Sequence, residues 1–221
     1  MHNKAERLRK SRTPQTDSAH GNRLPPGQVL TERFPILHEG AVPQYDLADW
    51  SLRLFGTLAQ PIELRYADLQ ALPQRTLRCD IHCVTRWSKF DTDWSGVHVR
   101  DLLQAFYITP TSAFVMAHAD YNYQANLSLA DLLHPDSLLA THYAGQPLTA
   151  QHGWPLRLVV AGRYFWKSAK WLRGLEFVDK EQPGFWEQNG FHLHADPFAE
   201  QRFSGDELDI PAAAWREKEF D

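Results

Sequence analysis

The sequence predicts a single mixed α/β domain, strand-rich and of the α+β type, with a loop-rich centre. Short apolar or alternating runs of strand length outnumber the segments with helical periodicity, and no internal repeat or low-complexity tract is visible. Of the 221 residues, 43% are apolar, which is enough to bury a substantial core.

The two ends of the chain differ in composition from its middle. Residues 1–22 are polar and locally basic and carry only isolated apolar side chains, so we expect a flexible arm there. The predicted folded domain spans residues 23–205, and residues 206–221 form an acidic tail.

The first half of this domain contains a strand, a helix and a second strand. Residues 50–55 alternate apolar and polar side chains, which predicts a half-buried strand ended by Gly56. Residues 66–72 have an amphipathic pattern stopped by a proline, which predicts a short helix. Residues 76–81 resemble a strand that leads directly into a loop at Cys83, a place where a rigid element can aim a reactive side chain.

The second half adds shorter elements. A turn is predicted at residues 94–96, before a helix over residues 97–106 where apolar residues recur with helical spacing. Residues 114–117 and 156–160 are apolar enough for short strands, and residues 127–133 predict a helical turn.

Composition excludes several classes of protein. The formal net charge of −4 excludes a globally basic nucleic-acid binder. No apolar run is long enough for a signal peptide or a membrane span. The chain has only two cysteines, four residues apart, so we expect a protein of the reduced cytoplasm without a disulfide scaffold.

Cys79, His82 and Cys83 form the first candidate site, with Arg86 close by. A thiolate among basic and aromatic side chains is a soft metal ligand or a nucleophile. Two cysteines and a histidine supply three zinc ligands, but a closed structural site needs a second ligand pair and the chain has no other cysteine. Because side chains alternate along a strand, the two thiols need not converge. Two buried small residues are therefore the alternative interpretation.

Two further segments carry basic residues beside turns and aromatic rings. His152 and Arg157 flank a Gly-Trp-Pro-Leu turn, where an arginine fork suits a phosphate or the edge of a heterocycle. Lys167, Ser168 and Lys170 lie among aromatic residues, where hydroxyl, ammonium and backbone amide groups can surround an anion. A surface turn and a solvent-facing strand are the alternatives. The acidic balance argues against a nucleic-acid groove.

The order of these motifs resembles a known family. The motifs are Cys-Val-Thr-Arg-Trp-Ser at 83–88, Trp-Ser-Gly-Val at 94–97, Gly-Gln-Pro-Leu at 145–148, His-Gly-Trp-Pro-Leu-Arg-Leu-Val-Val at 152–160 and Ser-Ala-Lys-Trp-Leu at 168–172. Together they resemble the molybdenum-cofactor domain of the sulfite oxidase family over residues 34–203. The short bacterial sulfite-oxidase-like oxidoreductases are the most similar in pattern, and the methionine-sulfoxide reductase catalytic subunit is more distant.

This resemblance implies a fold, a cofactor and residue roles. It implies the sulfite-oxidase-type molybdopterin-binding fold, with Cys83 as the only protein ligand to molybdenum and Cys79 as a structural thiol. It implies oxygen-atom transfer at a metal that cycles between Mo(VI) and Mo(IV), and we expect Cys83, Arg86 and His192 to be the catalytic residues. The implied contacts to the Mo-molybdopterin cofactor are His38, Cys83, Arg86, Asp120, His152, Arg157, Ser168, Ala169 and Lys170.

The sequence departs from the family at two substrate positions. Sulfite oxidases place an arginine and a tyrosine where this chain has Leu37 and Phe191. Leu37 has no hydrogen-bond donor for an oxyanion, and Phe191 has no hydroxyl group to relay a proton. We expect Trp186, His192 and His194 to line the substrate side instead. The expected small-molecule substrate is therefore a sulfoxide or an N-oxide rather than sulfite.

The chain lacks a haem-attachment motif and a glycine-rich flavin or nicotinamide fingerprint. We therefore expect electrons to be exchanged with a separate electron-transfer protein. The alternative is a non-catalytic module of the same fold that binds an anion, or a zinc ion through Cys79, His82 and Cys83.

Overall fold

The computed structural model describes residues 18–204, within which eleven strands form two sheets. The strands are β1 (Val29–Leu30), β2 (Ser51–Gly56), β3 (Ile62–Arg65), β4 (Gln74–His82), β5 (Trp87–Val97), β6 (Phe114–Ala119), β7 (Gln124–Ser128), β8 (Ser137–Tyr143), β9 (Gln146–Pro147), β10 (Arg157–Val160) and β11 (Leu172–Val178). The α-helices are α1 (Tyr66–Ala71), α2 (Val99–Ala105), α3 (Leu129–Leu132) and α4 (Phe185–Gln188), and 3₁₀ segments cover Ser18–Arg23, Ala150–His152 and Phe165–Lys167.

Both sheets are mixed. The first has the order β1-β5-β8-β10, with β4 also paired to β5 and β9 to β8, and its β1–β5 pair is parallel. The second has the order β3-β2-β11-β6-β7, and only its β2–β11 pair is parallel. Because the helices are short and the strands dominate, the strand-rich mixed α/β prediction is confirmed.

Two apolar clusters stabilise this arrangement. The larger one packs the second sheet against α1 and α2 and contains the fully buried Leu52, Leu102 and Leu175. The smaller one surrounds the loop that follows β4 and contains Cys83 and Trp94. The end of β4 is therefore held in a packed aromatic environment rather than on a mobile surface loop.

Several predicted elements are confirmed with small changes at their ends. The strand predicted at 50–55 is β2, the one at 76–81 is the longer β4, and those at 114–117 and 156–160 are β6 and β10. The helix predicted at 66–72 is α1.

The two other predicted helices begin later than expected. The helix predicted at 97–106 is α2, which begins after His98, whose side chain accepts a hydrogen bond from the Arg100 amide at 3.1 Å. The helical turn predicted at 127–133 is α3, which begins after Ser128, whose side chain accepts from the Asp131 amide at 3.0 Å. Capping by these side chains satisfies amides at the start of each helix and so sets where it begins.

The turn predicted at residues 94–96 is wrong. These residues lie inside β5, where Trp94 is fully buried and pairs with Tyr143 of β8. Gly96 is at a bulge between β5 and β8, and a β-carbon there would lie only 2.0 Å from the carbonyl oxygen of Leu139. Glycine therefore permits close strand pairing here and does not mark a turn.

Strands β1, β3, β5, β7, β8, β9 and β11 were not predicted. The longer ones, β5, β7, β8 and β11, carry polar or charged side chains among their apolar residues, which conceals a period-two pattern. The predicted arm over 1–22 lies mostly outside the described residues, and the predicted tail over 206–221 lies wholly outside them. Among residues 18–204, no helix is long and apolar enough to cross a membrane.

Candidate active site

A cavity of about 200 Å³ opens where loops from both sheets meet. It is bordered by the loops that follow β1 and β4 and by the β6–β7 turn. The segments before and after β10, helix α4 and the residues just after α4 complete the border. The predicted site residues that line it are His38, Cys83, Asp120, His152, Arg157, Ser168, Ala169 and Lys170. Residues spread over 130 positions of sequence are thus brought to one place by the fold.

Cys83 is the first residue after β4, and its thiol lies in the cavity wall. The cysteine backbone is held on both sides: its amide donates to the Trp87 carbonyl at 2.8 Å, and its carbonyl accepts from the Arg86 amide at 2.9 Å. The Sγ atom is 3.1 Å from Thr85 Oγ1. Burial raises the pKa of Cys83, while the hydrogen bond from Thr85 opposes that shift. A buried thiol at the wall of a cavity is a suitable donor for a soft metal.

Cys79 and His82 do not join Cys83 in a metal site. The Cys79 thiol is 3.7 Å from Thr92 Oγ1, and burial raises its pKa to about 12. His82 Nδ1 is 2.8 Å from Ser88 Oγ, and burial lowers the pKa of that imidazole to about 4. In the part of the chain that the structure describes, no group of three or more His, Cys, Asp or Glu side chains is arranged to hold a metal ion. The zinc alternative therefore has no support among residues 18–204.

The other end of the cavity is cationic. Arg157 is 2% exposed, and its guanidinium donates to the carbonyl oxygens of His152 at 3.0 Å and Ser168 at 2.9 Å. It lies 4.5 Å from the centre of the Phe165 ring. Lys170 Nζ donates to two further carbonyls at 2.7 and 2.9 Å. Burial lowers the pKa of Arg157 to about 9, and burial together with the Arg157 charge lowers the pKa of Lys170 to about 7.

These two cations have no carboxylate partner among the ion pairs of residues 18–204. A buried positive charge without a counter-ion is costly, so the site is suited to an anion that lies between the two side chains. A dianionic phosphate beside the cations and a soft metal beside Cys83 match two groups that a metal-bearing molybdopterin carries. The donor set of the cavity therefore fits the predicted cofactor.

Gly153 makes the cationic end possible. Its φ angle is +108°, and a β-carbon at this position would lie 3.0 Å from Arg157 Cβ and 3.1 Å from Lys170 Cβ. Only glycine adopts this conformation without strain, and only glycine leaves room between the two cations. Next to it, His152 stacks on Phe34 with ring centres 4.3 Å apart.

Ser168 and Ala169 anchor the cavity wall to β10. Ser168 Oγ accepts from the Val160 amide at 2.9 Å, and the Ala169 carbonyl accepts from the Leu158 amide at 2.8 Å. These bonds fix the segment that carries Lys170 against β10. The segment is therefore a rigid part of the cavity wall.

Asp120 and His38 lie at the cavity wall near its mouth. Asp120 accepts a short hydrogen bond from the Tyr45 hydroxyl, and burial and Asp120 raise the pKa of that tyrosine. His38 Nδ1 is 3.1 Å from the Gly40 carbonyl, and the ring contacts Trp171 edge-on at 5.5 Å. Tyr45 was not identified from the sequence, because a lone tyrosine in a polar loop carries no pattern.

Arg86 and His192 lie outside the cavity lining. Arg86 is buried and donates from Nη1 to the Gly27 carbonyl at 3.3 Å, and neither residue lines the cavity. His192 is also buried, and its Nδ1 accepts from the His194 amide at 3.0 Å. Their predicted catalytic roles gain no support from this placement and stay predictions.

The remaining wall of the cavity is aromatic and aliphatic. Leu37, Phe191 and Trp186, all singled out from the sequence, line it, whereas the expected His194 does not. The Trp166 ring contacts Phe191 edge-on at 5.1 Å, and Phe191 in turn contacts Trp186 at 4.8 Å. Trp166, Phe34 and Tyr123 also line the cavity, and aromatic type alone did not distinguish them from core residues.

Comparison with known proteins identifies the family of this chain. The family described as the oxidoreductase molybdopterin binding domain matches residues 39–186. A Bacillus subtilis (strain 168) protein described as the uncharacterized oxidoreductase YuiH is 44% identical over 196 residues, which cover 88% of this chain and 98% of that protein.

More distant relatives are longer. The protein-methionine-sulfoxide reductase catalytic subunit MsrP of Xanthomonas campestris pv. campestris is 29% identical over 174 residues, which cover 68% of this chain and 53% of that protein. The mitochondrial sulfite oxidase of Drosophila melanogaster is 28% identical over 204 residues, covering 77% of this chain and 35% of that protein. This chain thus spans about half the length of the MsrP relative.

A solved structure shows the same fold. The sulfane dehydrogenase SoxCD from Paracoccus pantotrophus superimposes with a TM-score of 0.60 at 21% identity, over 69% of this chain and 43% of that one. Since the family match covers most of the described domain and includes Cys83, Arg157 and Lys170, this chain is an oxidoreductase of the sulfite oxidase family, with Mo-molybdopterin as its cofactor.

Proposed function

We propose that this enzyme transfers an oxygen atom to or from a small sulfoxide- or N-oxide-type substrate, and that sulfite is not its substrate. The observation that carries the proposal is the chemistry of the cavity wall at Leu37 and Phe191. An isobutyl and a phenyl group offer no hydrogen-bond donor to a sulfite oxyanion. Trp166 and Trp186 extend the same apolar surface, which favours a neutral molecule with a hydrocarbon part.

We propose that the chain holds its cofactor at two ends. Cys83 would supply the thiolate ligand at the metal end, and Arg157 and Lys170 would hold the phosphate end by charge-assisted hydrogen bonds. The backbone of Ser168 and Ala169 and the side chains of His152, His38 and Asp120 would line the rest of the cofactor site. When bound, the cofactor supplies two-electron oxygen-atom transfer chemistry at its metal.

We further propose that electrons pass to or from a separate protein in the cytoplasm. The absence of a haem-attachment or nucleotide fingerprint in the sequence supports a separate partner. Both cysteines are free thiols, which is consistent with a reducing compartment. The name of the MsrP relative, a catalytic subunit, is also consistent with a partner.

The first experiment measures metal and pterin in protein made in a host that synthesises the cofactor. We expect close to one molybdenum and one pterin per chain in the wild type. Cys83→Ser is expected to keep the pterin, because Arg157 and Lys170 remain, but to lose activity. Zinc or no metal in the wild type would contradict the proposal and favour the non-catalytic binding module.

The second experiment compares substrates on the loaded enzyme. Reduction of sulfoxides and N-oxides is followed with a viologen donor, and oxidation of sulfite with ferricyanide as acceptor. We expect turnover of at least one sulfoxide or N-oxide and slow reaction with sulfite. Rapid sulfite-dependent reduction of the metal at neutral pH would refute the proposed substrate class.

A further inference from the structure

The loop that presents Cys83 is supported from behind by the two ends of the described chain. Gln28 Nε2 donates to the Cys83 carbonyl at 3.0 Å, and Arg202 Nη1 donates to the Val84 carbonyl at 3.1 Å. Both side chains are buried, Gln28 at 3% exposure and Arg202 at 0%. Both also lie outside residues 39–186, the span that matches the family. This support is therefore a feature of the chain that the family match does not cover.

Arg202 connects both terminal segments to the loop through one planar group. Its second amino group donates to the Pro26 carbonyl at 2.9 Å, and its guanidinium lies 4.7 Å from the centre of the Tyr164 ring. The Glu200 carboxylate is 3.8 Å from its Nε. A rigid arginine fork that bonds two backbone carbonyls fixes their relative positions better than a flexible ammonium does.

The 25–28 segment is shaped to allow this arrangement. Gly27 has a φ of +66°, and a β-carbon there would lie 2.6 Å from Arg86 Nη1 and 3.6 Å from Arg202 Nη2. The Val29 amide donates to the Arg86 carbonyl at 2.8 Å, so the same segment also pairs with the end of the Cys83 loop. Three contacts from residues 27–29 thus restrain residues 83–86.

Groups that hydrogen-bond a ligand's own segment orient the ligand and tune the metal bound to it. Two consequences follow from the chemistry of Arg202. Its hydrogen bond to Val84 fixes the direction in which Cys83 points, and its buried positive charge favours the state of the site that carries one more electron. The first effect depends on the geometry of the fork, and the second depends on charge alone.

We infer that Arg202 is a positioning residue for the Cys83 ligand, acting with Gln28 to hold the ligand loop and raising the reduction potential of the metal bound there. The inference rests on the cofactor assignment and not on the choice of substrate. It therefore stands or falls separately from the proposed substrate class.

Four variants of the loaded enzyme test the two effects. Arg202→Met removes both the planar guanidinium and its charge, whereas Arg202→Lys removes the guanidinium and keeps the charge. Gln28→Met removes the hydrogen bond to the Cys83 carbonyl without changing any charge. Arg163→Met is the control for loss of an arginine charge, because Arg163 pairs with Asp131 at 2.8 Å and with Asp196 at 3.7 Å, and neither contact involves a residue of the 83–86 loop. The readouts are the rate of molybdenum loss on dialysis, the midpoint potential from a redox titration followed by electron paramagnetic resonance, and the thermal midpoint.

We expect about tenfold faster molybdenum loss in both Arg202 variants and in Gln28→Met, the usual size of effects on outer-shell contacts. The potential should fall only in Arg202→Met, by the equivalent of a tenfold change in a one-electron equilibrium, about 59 mV. Arg163→Met should lower the thermal midpoint without either effect.

Wild-type metal retention in Arg202→Met, or a potential that is unchanged or higher, would overturn the inference. A potential that falls equally in Arg163→Met would do the same. If Arg202→Met does not fold, the decision passes to Arg202→Lys and Gln28→Met, and metal loss at the wild-type rate in both would overturn it.

Discussion

Replacing Glu187 by glutamine removes one charge from an ion pair that is buried behind the aromatic wall of the cavity. Lys167 Nζ is 2.6 Å from Glu187 Oε1, and the two side chains are 2% and 1% exposed. The same carboxylate oxygen accepts from Trp166 Nε1 at 2.8 Å. Glutamine preserves the size and an acceptor oxygen, so the change isolates the charge.

The magnitude follows from what the substitution leaves behind. The Lys167 ammonium keeps its hydrogen bonds to the backbone and side-chain oxygens of Asn126 but loses its only ion-pair partner among the described residues. Breaking a buried pair by removing one partner costs about 3–5 kcal/mol of the free energy of unfolding. For a domain of this size, each kcal/mol shifts the thermal midpoint by about 2–4 °C, so we expect a fall of about 6–20 °C.

The assay is urea and thermal unfolding of the cofactor-free protein, so cofactor affinity does not contribute. Glu176→Gln is the control, because the His118–Glu176 pair has a similar length of 2.8 Å but side chains that are 26% and 33% exposed. We expect that control to cost no more than about 1 kcal/mol. In the double variant with Lys167→Met, most of the loss should be recovered. Equal, small losses in Glu187→Gln and Glu176→Gln would refute the reasoning.

Three further predictions concern the cavity. Gly153→Ala should lower the free energy of unfolding of the cofactor-free protein by about 1–3 kcal/mol, as measured by urea unfolding. The +108° φ angle and the 3.0 Å contact with Arg157 Cβ leave no relaxed position for a methyl group, and unchanged stability would contradict this. Sulfate should bind the cofactor-free protein less tightly as the pH rises through about 7, where Lys170 loses its proton. Titration calorimetry should show that the sulfate dissociation constant depends less on pH in Lys170→Met than in the wild type. Leu37→Arg should tighten the binding of sulfite roughly tenfold by adding a hydrogen-bond donor at the cavity, as measured by its dissociation constant, and an unchanged dissociation constant would show that this position does not meet the anion.

Much of the site could be predicted from the sequence because its residues stand in short-range patterns that have a structural meaning. Cys83 comes directly after a strand, so a short-range pattern was enough to place its thiol at the end of a rigid element. Gly153 needs a positive φ angle beside two cations, and the sequence already places Arg157 and Lys170 near it. The order of the separated motifs then indicated the family, and the family match confirmed it.

Two predicted site residues lie outside the cavity lining, because contacts from distant parts of the chain determine where they point. Arg86 is three residues after Cys83, yet its guanidinium turns away from the cavity toward Gly27, 59 positions earlier. His192 is one residue after Phe191, which lines the cavity, but the backbone direction aims its imidazole at neighbouring amides. Sequence proximity to a cavity residue therefore does not by itself place a side chain in the cavity lining.

By itself, the sequence determined the strand-rich class of the fold, the family and the chemical types at the two ends of the cavity, since these depend on residue identity, order and short-range backbone preference. Only the tertiary structure decided which side chains share the cavity, which polar groups pair behind its wall, and what supports the ligand loop. Arg202 and Val84 are 118 positions apart, and Lys167 and Glu187 are 20 apart. No periodic pattern links such residues, because their contacts arise from the packing of two sheets and their connecting loops into one core.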